Sequence, residues 1–240
     1  MSLLEFEHVS KAYGRGRRQC VVLRDVSLEL DVGELVAVWG LRRSGRSTLL
    51  RVAAGVEPAD SGVVRFAGRD LAAHHGGGLG RAIGYCRKMF RPAEGQTVLE
   101  EVMVGLLARG ASPEVARTRA RNALERTGAE PCAGLKANEL DSAEAVRVAI
   151  AQTVSHRPSL LVIDDPTLGV DLLARDGILL LLRSLADDGI AVLTSTAEAT
   201  GLSGADRALS LGEGELNGSL SPKLATIVPL RAPVGSPASA

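Results

Sequence analysis

Gly40-Leu41-Arg42-Arg43-Ser44-Gly45-Arg46-Ser47-Thr48 decides how this chain is read. The spacing is that of G-x-x-x-x-G-K-[ST], in which successive backbone N–H groups curl around phosphates, the lysine reaches the terminal phosphates and the hydroxyl after it binds Mg²⁺. Both glycines, Ser47 and Thr48 are in place, and Arg46 stands where the pattern has lysine. Lysine occurs only at Lys11, Lys88, Lys136 and Lys223, so no shift of register supplies one to the loop.

Working outward, residues 34–39 are a short apolar run that leads straight into the loop, and 47–54 have helical spacing. The loop is therefore predicted to join a strand to a helix whose N-terminus adds its positive dipole end to the anion site. Residues 3–9 and 21–30 alternate as strands, and 63–67 and 82–86 are strand candidates on either side of a glycine-rich turn at 76–78. Residues 97–127 read as helical, with Val98, Val102, Leu106 and Leu107 on one face. A second helix opens at Ser112-Pro113, a serine cap before a proline. Residues 142–155 and 172–186 read as helices, and 159–163 and 190–194 as buried strands. This alternation implies an α/β fold with a largely parallel sheet, an antiparallel part near the N-terminus and an inserted helical subdomain at about 90–150. The stretch 221–240, rich in Pro, Ser and Ala, is expected to be a flexible tail on a folded unit of 1–220.

At 240 residues the chain has room for one large domain but not for two such units. Net charge is +0 and aromatic content 2%, which leaves neither a basic footprint nor stacking platforms for nucleic acid. No stretch approaches the ~18 to 20 apolar residues of a membrane span, so a cytoplasmic location is expected. Cys20, Cys86 and Cys132 are scattered and have no histidine at metal spacing, and they read as small apolar residues.

Several further motifs follow in order. Leu160-Leu161-Val162-Ile163-Asp164-Asp165-Pro166-Thr167 is an apolar strand ending in carboxylates, followed by Leu168-Gly169-Val170-Asp171. A buried strand ending in Asp164 suits Mg²⁺ ligation, because such a charge buried without a partner is costly. With the phosphate loop, this ordered set resembles the ATP-binding cassette (ABC) family over roughly residues 3–216, and the P-loop NTPase fold of ABC type is implied. The resemblance makes 160–167 the Walker B strand, Asp171 part of the D-loop, Glu139 to Ala151 the signature helix and Tyr13 the aromatic residue that stacks on adenine. It implies ATP and Mg²⁺ as cofactors, with Gly40, Arg43, Ser44, Gly45, Arg46, Ser47 and Thr48 around the nucleotide and Ser47 and Asp164 on the metal.

The departures from the family's pattern fall where chemistry is done. The LSGGQ-like segment that clamps the γ-phosphate of the opposite subunit is here Leu140-Asp141-Ser142-Ala143-Glu144, with both glycines replaced and an aspartate that would repel the γ-phosphate if it faced it. The glutamine that contacts Mg²⁺ and water aligns with Lys88, and an ammonium cannot ligate a cation. The general-base glutamate is Asp165, one methylene shorter, which leaves it either a working base or a structural carboxylate. The switch histidine falls near Ala197, while the chain's histidines are His8, His74, His75 and His156. Arg43 replaces a small residue and either joins the phosphate site or points to solvent. Arg46 is a planar fork rather than a compact ammonium, so it is not a neutral exchange for lysine in a tight cradle.

Cassettes of this family dimerise head to tail, so each ATP lies between the Walker side of one and the signature of the other. With both sides altered, every pairing leaves both sites compromised. Losing one preorganised donor typically costs ~10²–10³ in rate, so hydrolysis is expected to be low while the cradle still binds ATP. Arg43, Arg46 and Lys88 are expected to replace part of the Mg²⁺ charge. The resemblance implies an ATP-binding transporter subunit of the lipoprotein-release or macrolide-export type. It would lie peripherally on the inner face of the cell membrane, with a permease docked near Lys88 and the helical subdomain, and pair with a second cassette in a homo- or heterodimer. The alternative is a non-catalytic ABC-like module in which nucleotide is a conformational ligand only or is not bound.

Overall fold

The computed structural model describes residues 2–74, 82–86 and 95–220. Two sheets form. β1 (Ser2–Tyr13), β2 (Cys20–Asp31), β4 (Ser61–Phe66) and β5 (Arg69–Asp70) make an antiparallel sheet in the order β2-β1-β4-β5. The second sheet runs β10-β9-β3-β8-β7-β6, from β3 (Leu35–Trp39), β6 (Ile83–Cys86), β7 (Leu160–Asp164), β8 (Ala191–Thr196), β9 (Arg207–Gly212) and β10 (Glu215–Leu220). It is parallel from β9 to β6, and only β10 runs against its neighbour. This is the architecture read from the sequence.

The helices are α1 (Arg46–Ala53), α2 (Val98–Ala108), α3 (Pro113–Thr127), α4 (Ser142–Val154) and α5 (Leu172–Asp187). α2 and α3 are separate because Gly110, at φ +86°, turns the chain and Ser112 caps the next helix through the Val115 amide. β1 is longer than its alternation predicted, since it pairs with β2 and β4 through repeated register shifts and His8 sits at φ +52°. The bulges break the period-2 pattern that sequence reading relies on. β9 and β10 were not anticipated. The turn at 76–78 and the tail from Ser221 lie outside the described residues.

Period 2 in the central strands divides the interior. Leu35, Ala37, Leu161, Ile163 and Val192 face α2, α3, α4 and α5 in one core, while Val36, Val38, Leu160, Val162, Ala191 and Leu193 face α1 and the antiparallel sheet in the other. A strand buried on both faces must be apolar throughout, which is why β3 and β7 read as unbroken runs. Cys86 and Cys132 are buried in the first core and Cys20 is exposed. Burial pushes the Cys86 thiol up to about 12, so it acts as a small apolar group. No helix among the described residues is long and apolar enough to cross a membrane.

Strand register fixes the site. Trp39 pairs with Thr196 and Asp164 with Ser195, so the carboxyl ends of β3, β8 and β7 finish side by side. Ligands of open α/β sheets gather at this edge.

Candidate nucleotide site

The phosphate loop leaves β3 after Trp39 and enters α1 at Arg46. A Cβ on Gly40 would lie 2.5 Å from Ser44 Oγ and 2.6 Å from the Leu211 carbonyl oxygen, and Gly45, at φ +105°, would meet the Val22 carbonyl oxygen at 2.7 Å. Both glycines are therefore steric requirements of the loop. Arg43 also takes the left-handed conformation, at φ +67°, and is exposed. Ser44 Oγ is buried with no hydrogen-bond partner among the described residues. No side chain caps α1 and its first turn holds no acid. Its leading N–H groups are thus left for an external anion.

Asp164 closes the loop from the β7 side. Ser47 Oγ donates to Asp164 Oδ2 at 2.7 Å, and Ser195 Oγ donates to Asp164 Oδ1 at 2.6 Å. Ser195 Oγ in turn accepts from the Asp165 amide at 3.1 Å. Ser195 was not singled out from the sequence. Its signal is the run Thr194-Ser195-Thr196 at the end of a buried strand, because polar side chains buried there require partners.

Asp165 follows at φ +52°, with its side chain turned toward α1. Arg46 Nη1 lies 3.6 Å from Asp165 Oδ2, with the two side chains only 10% and 7% exposed. The pair is ionic without a hydrogen bond, and Nη1 has no hydrogen-bond acceptor among the described residues. A buried guanidinium that retains an unused donor beside an open helix N-terminus is a site prepared for a further anion.

Tyr13, 37% exposed, ends β1 beside α1. Its hydroxyl donates to Glu57 Oε2 at 2.8 Å, accepts from Arg51 Nη2 at 3.0 Å and lies 3.3 Å from Thr48 Oγ1. Burial pushes the Glu57 carboxyl up, but hydrogen bonds from Tyr13 and Arg51 outweigh it and hold the group below its ordinary value. Lys11 Nζ stands 5.8 Å from the Tyr13 ring centroid. Tyr13 is thereby fixed next to Thr48 at the loop's exit, and the Arg51–Glu57 clamp behind it was not foreseen from the sequence.

The signature segment has a different character. Asp141 is the N-cap of α4: its Oδ1 accepts from the Glu144 amide at 2.8 Å, and Glu144 Oε2 accepts from the Asp141 amide at 2.9 Å. Ser142 is exposed, and Ala143 packs on Val170 and Ile178. Asp171 caps α5 through the Leu173 and Ala174 amides, both at 3.1 Å. The fold thus gathers Gly40, Ser44, Gly45, Arg46, Ser47, Asp164 and Asp165, with Tyr13 and Thr48 adjoining. The Asp141 to Glu144 segment and Asp171 form a separate cluster. Lys88 lies outside the described residues.

Residues 23–168 match the sequence profile described as ABC transporter. The chain belongs to the ABC transporter family. Over 220 residues this ABC cassette is 33% identical to the lipoprotein-releasing system ATP-binding protein LolD of Chromohalobacter salexigens, covering 90% of this chain and 93% of that one. It is 32% identical over 220 residues to the cell division ATP-binding protein FtsE of Escherichia coli K12, covering 90% and 98%. It also aligns at 28% identity with the macrolide export ATP-binding/permease protein MacB of Salmonella choleraesuis, of which it covers 34%. Among solved structures, a dimeric ATP-binding cassette in a post-hydrolysis state with ADP and phosphate superposes with a TM-score of 0.80 at 27% identity, covering 91% of this chain and 98% of that one.

The donors of this ABC cassette fit a Mg²⁺ that arrives with nucleotide. Ser47 Oγ and Asp164 Oδ2 are adjacent hard oxygens, and Mg²⁺ typically takes one or two protein ligands and completes its shell with phosphate oxygens and water. The orphan Ser44 hydroxyl and Arg46 Nη1 fit the phosphates themselves.

Proposed function

We propose that this chain is the ATP-binding subunit of an ABC transporter, in which nucleotide binding is retained and hydrolysis is slow or borrowed from a partner cassette. The observation that carries this reading is the Arg46–Asp165 pair at 3.6 Å, made by the two substituted residues of the Walker side. The loop amides and the Arg46 guanidinium hold the phosphates, and Ser47 and Asp164 hold Mg²⁺, which when bound neutralises charge on the transferring group. Asp165 takes a proton from water only if its carboxylate leaves the guanidinium that engages it at 3.6 Å. Arg46 is also the cation through which dependence on Mg²⁺ would be weakened. Arg43, exposed on the same loop, adds its charge to that of Arg46.

In this reading a membrane permease docks on the helical part, at about 90–150, of a cassette spanning 1–220. The subunit lies on the inner face of the membrane, and a second cassette completes each site. No role in nucleic-acid binding is assigned. ATP turnover by the purified chain, alone and with its permease, beside Arg46→Lys and the double change Arg46→Lys with Asp165→Glu, tests it. Slow turnover that rises in the double variant, with nucleotide affinity kept in all, is expected; brisk hydrolysis by the unmodified chain alone sinks the proposal. ATP titration with and without a chelator tests the metal: affinity that collapses without Mg²⁺ removes the part given to Arg46.

One observation favours the second reading, a non-catalytic module. The capping box of Asp141 and Glu144 fills the α4 N-terminus that a partner's nucleotide would need. No ATP-dependent dimer at any nucleotide concentration would select that reading.

A further inference from the structure

The Arg46–Asp165 pair also bears on how many phosphates the cleft accepts. In the G-x-x-x-x-G-K-[ST] pattern the basic side chain reaches the terminal phosphates. Here that side chain already has an anion at 3.6 Å, the carboxylate of Asp165, and both groups are nearly buried. Asp165 follows the end of β7 at φ +52°, and its amide donates to Ser195 Oγ at 3.1 Å, so the backbone that carries the carboxylate is pinned from β8. The carboxylate therefore competes for the position in which a terminal phosphate would meet Arg46, and it carries the same sign.

The rest of the cleft offers donors without such a competitor. Arg46 Nη1 and Ser44 Oγ are buried and make no hydrogen bond among the described residues. α1 begins with no capping side chain and no acid in its first turn. These groups can take an inner pair of phosphates and leave the ion pair whole, because a guanidinium holds five N–H donors in a planar fork and can serve two anions at once. A third phosphate meets Asp165 at the short range where like charges repel most. Otherwise it expels the carboxylate from its partner, and separating a buried pair is costly. Discrimination between two ligands that share all their attractive contacts needs a repulsive element against one of them. Asp165 supplies it.

We propose that the cleft is a receptor for nucleoside diphosphate, with Asp165 the residue that sets its preference over triphosphate. The proposal rests on the reading of the chain as a nucleotide-binding subunit, and it assigns that subunit the nucleotide held most tightly. ATP enters as the weaker ligand. The resting form is the diphosphate complex, and the ratio of the two nucleotides, rather than turnover, sets which of them is bound.

The test titrates the whole chain by calorimetry, at one Mg²⁺ concentration, with ADP and with the β,γ-imido analogue of ATP, whose bridging nitrogen resists hydrolysis. ADP is expected to bind about 10-fold more tightly, the effect of one further like charge in a nearly buried cleft. Pyrophosphate should displace bound ADP at lower concentration than tripolyphosphate does, which takes the base out of the comparison. Asp165→Asn keeps the shape of the side chain and removes its charge, and it should bring the two nucleotides to within about 2-fold, by strengthening the triphosphate. Equal or tighter binding of the imido analogue by the unmodified chain overturns the proposal. So does an undiminished preference in Asp165→Asn that circular dichroism shows to be folded, or a preference seen with nucleotides and absent from the two polyphosphates. If Asp165→Asn does not fold, the nucleotide and polyphosphate pairs decide on the unmodified chain alone. Binding of neither nucleotide would remove the nucleotide reading together with this proposal, whereas a reversed preference removes the proposal only.

Discussion

α1 and α4 both begin where an ABC cassette is expected to meet phosphate, yet their N-termini are finished in opposite ways. α1 starts from Gly45 with no capping side chain, no acid in its first turn and a guanidinium at its first position. α4 starts from Asp141, with Glu144 three residues on, and the two carboxylates satisfy each other's backbone amides. A helix N-terminus carries roughly half a positive charge. Arg46 adds to that charge at α1, while Asp141 and Glu144 cancel it at α4. The first end is a standing electrostatic deficit that an anion relieves; the second is already neutralised from within. In the proposed reading, one chain thus keeps the Walker half of a composite nucleotide site open to an anion and fills the signature half from within.

The largest expected effect comes from removing the cation at the open end. Arg46→Ala deletes the guanidinium facing Asp165 in a nearly buried pocket, and breaking such a pair from one side costs about 3–5 kcal/mol. Chemical denaturation should show that loss. Nucleotide affinity should fall about 10- to 100-fold, from charge-assisted hydrogen bonds of about 1.5–3 kcal/mol. Unchanged affinity in Arg46→Ala would mean that the guanidinium serves Asp165 alone, and the contrast between the two helices would lose its electrostatic basis.

That contrast was only half legible in the sequence. The glycine spacing and the strand and helix around it located the α1 site, because steric demands at Gly40 and Gly45 leave a local pattern. The substitution of Asp141 and Glu144 for the signature residues was visible, but it was read as repulsion of phosphate. That S/T/D-x-x-E spacing is also a capping box was not weighed, although it is a sequence-level signal. Ser195 and the Arg46–Asp165 pairing depend on register between strands far apart in the chain, and nothing local to either residue reports that. β9 and β10 were missed because Arg207, Ser210 and Gly212 interrupt the apolar run of β9, and its edge neighbour β10 carries Glu215, Asn217 and Gly218.

A smaller loss is expected at the floor of the α1 site. Ser195→Ala removes the donor to Asp164 Oδ1 and the acceptor for the Asp165 amide, and groups left without partners there cost about 1–3 kcal/mol. Thermal melts would report it. Calorimetric Mg²⁺·ATP binding should weaken with it, since Asp164 loses the contact that orients its carboxylate toward Ser47. A melt unchanged by Ser195→Ala would show the hydroxyl to be replaceable by water, and the metal side of the site to be less organised than its geometry indicates.

The closed end should respond less, and in a different currency. Asp141→Ala removes the N-cap of α4 and should lower stability by about 1 kcal/mol, the usual cost of losing such a cap. Binding of ATP to the single chain should not change, because Asp141 hydrogen-bonds within the α4 cap and not to the phosphate loop. Asp141→Ser with Glu144→Gln keeps a cap and lowers the negative charge. Its expected effect is an ATP-dependent dimer in sedimentation velocity that the unmodified chain forms less readily. Affinity for ATP that shifts in the isolated Asp141→Ala chain would place α4 in the same site as α1 and erase the distinction.

At neutral pH the smallest effect is expected at the other end of α4, in His156→Gln. The imidazole is already uncharged there, since burial and the nearby Arg109 and Arg119 push it down to about 4. Under acid the variant should separate from the parent. Between pH 6.5 and about 4 the unfolded chain takes up a proton on this ring and the folded chain does not, so stability falls as pH drops through that window and is constant above it. Carboxylates elsewhere also lose stabilising charge on the way down, so the measurement is the difference between the two chains. Denaturation midpoints compared at pH 7, 6 and 5 should converge on the acid side or cross, with the glutamine chain losing less. Parallel pH curves would mean that His156 is protonated in the folded state after all, and would set an anion beside it even in the isolated subunit.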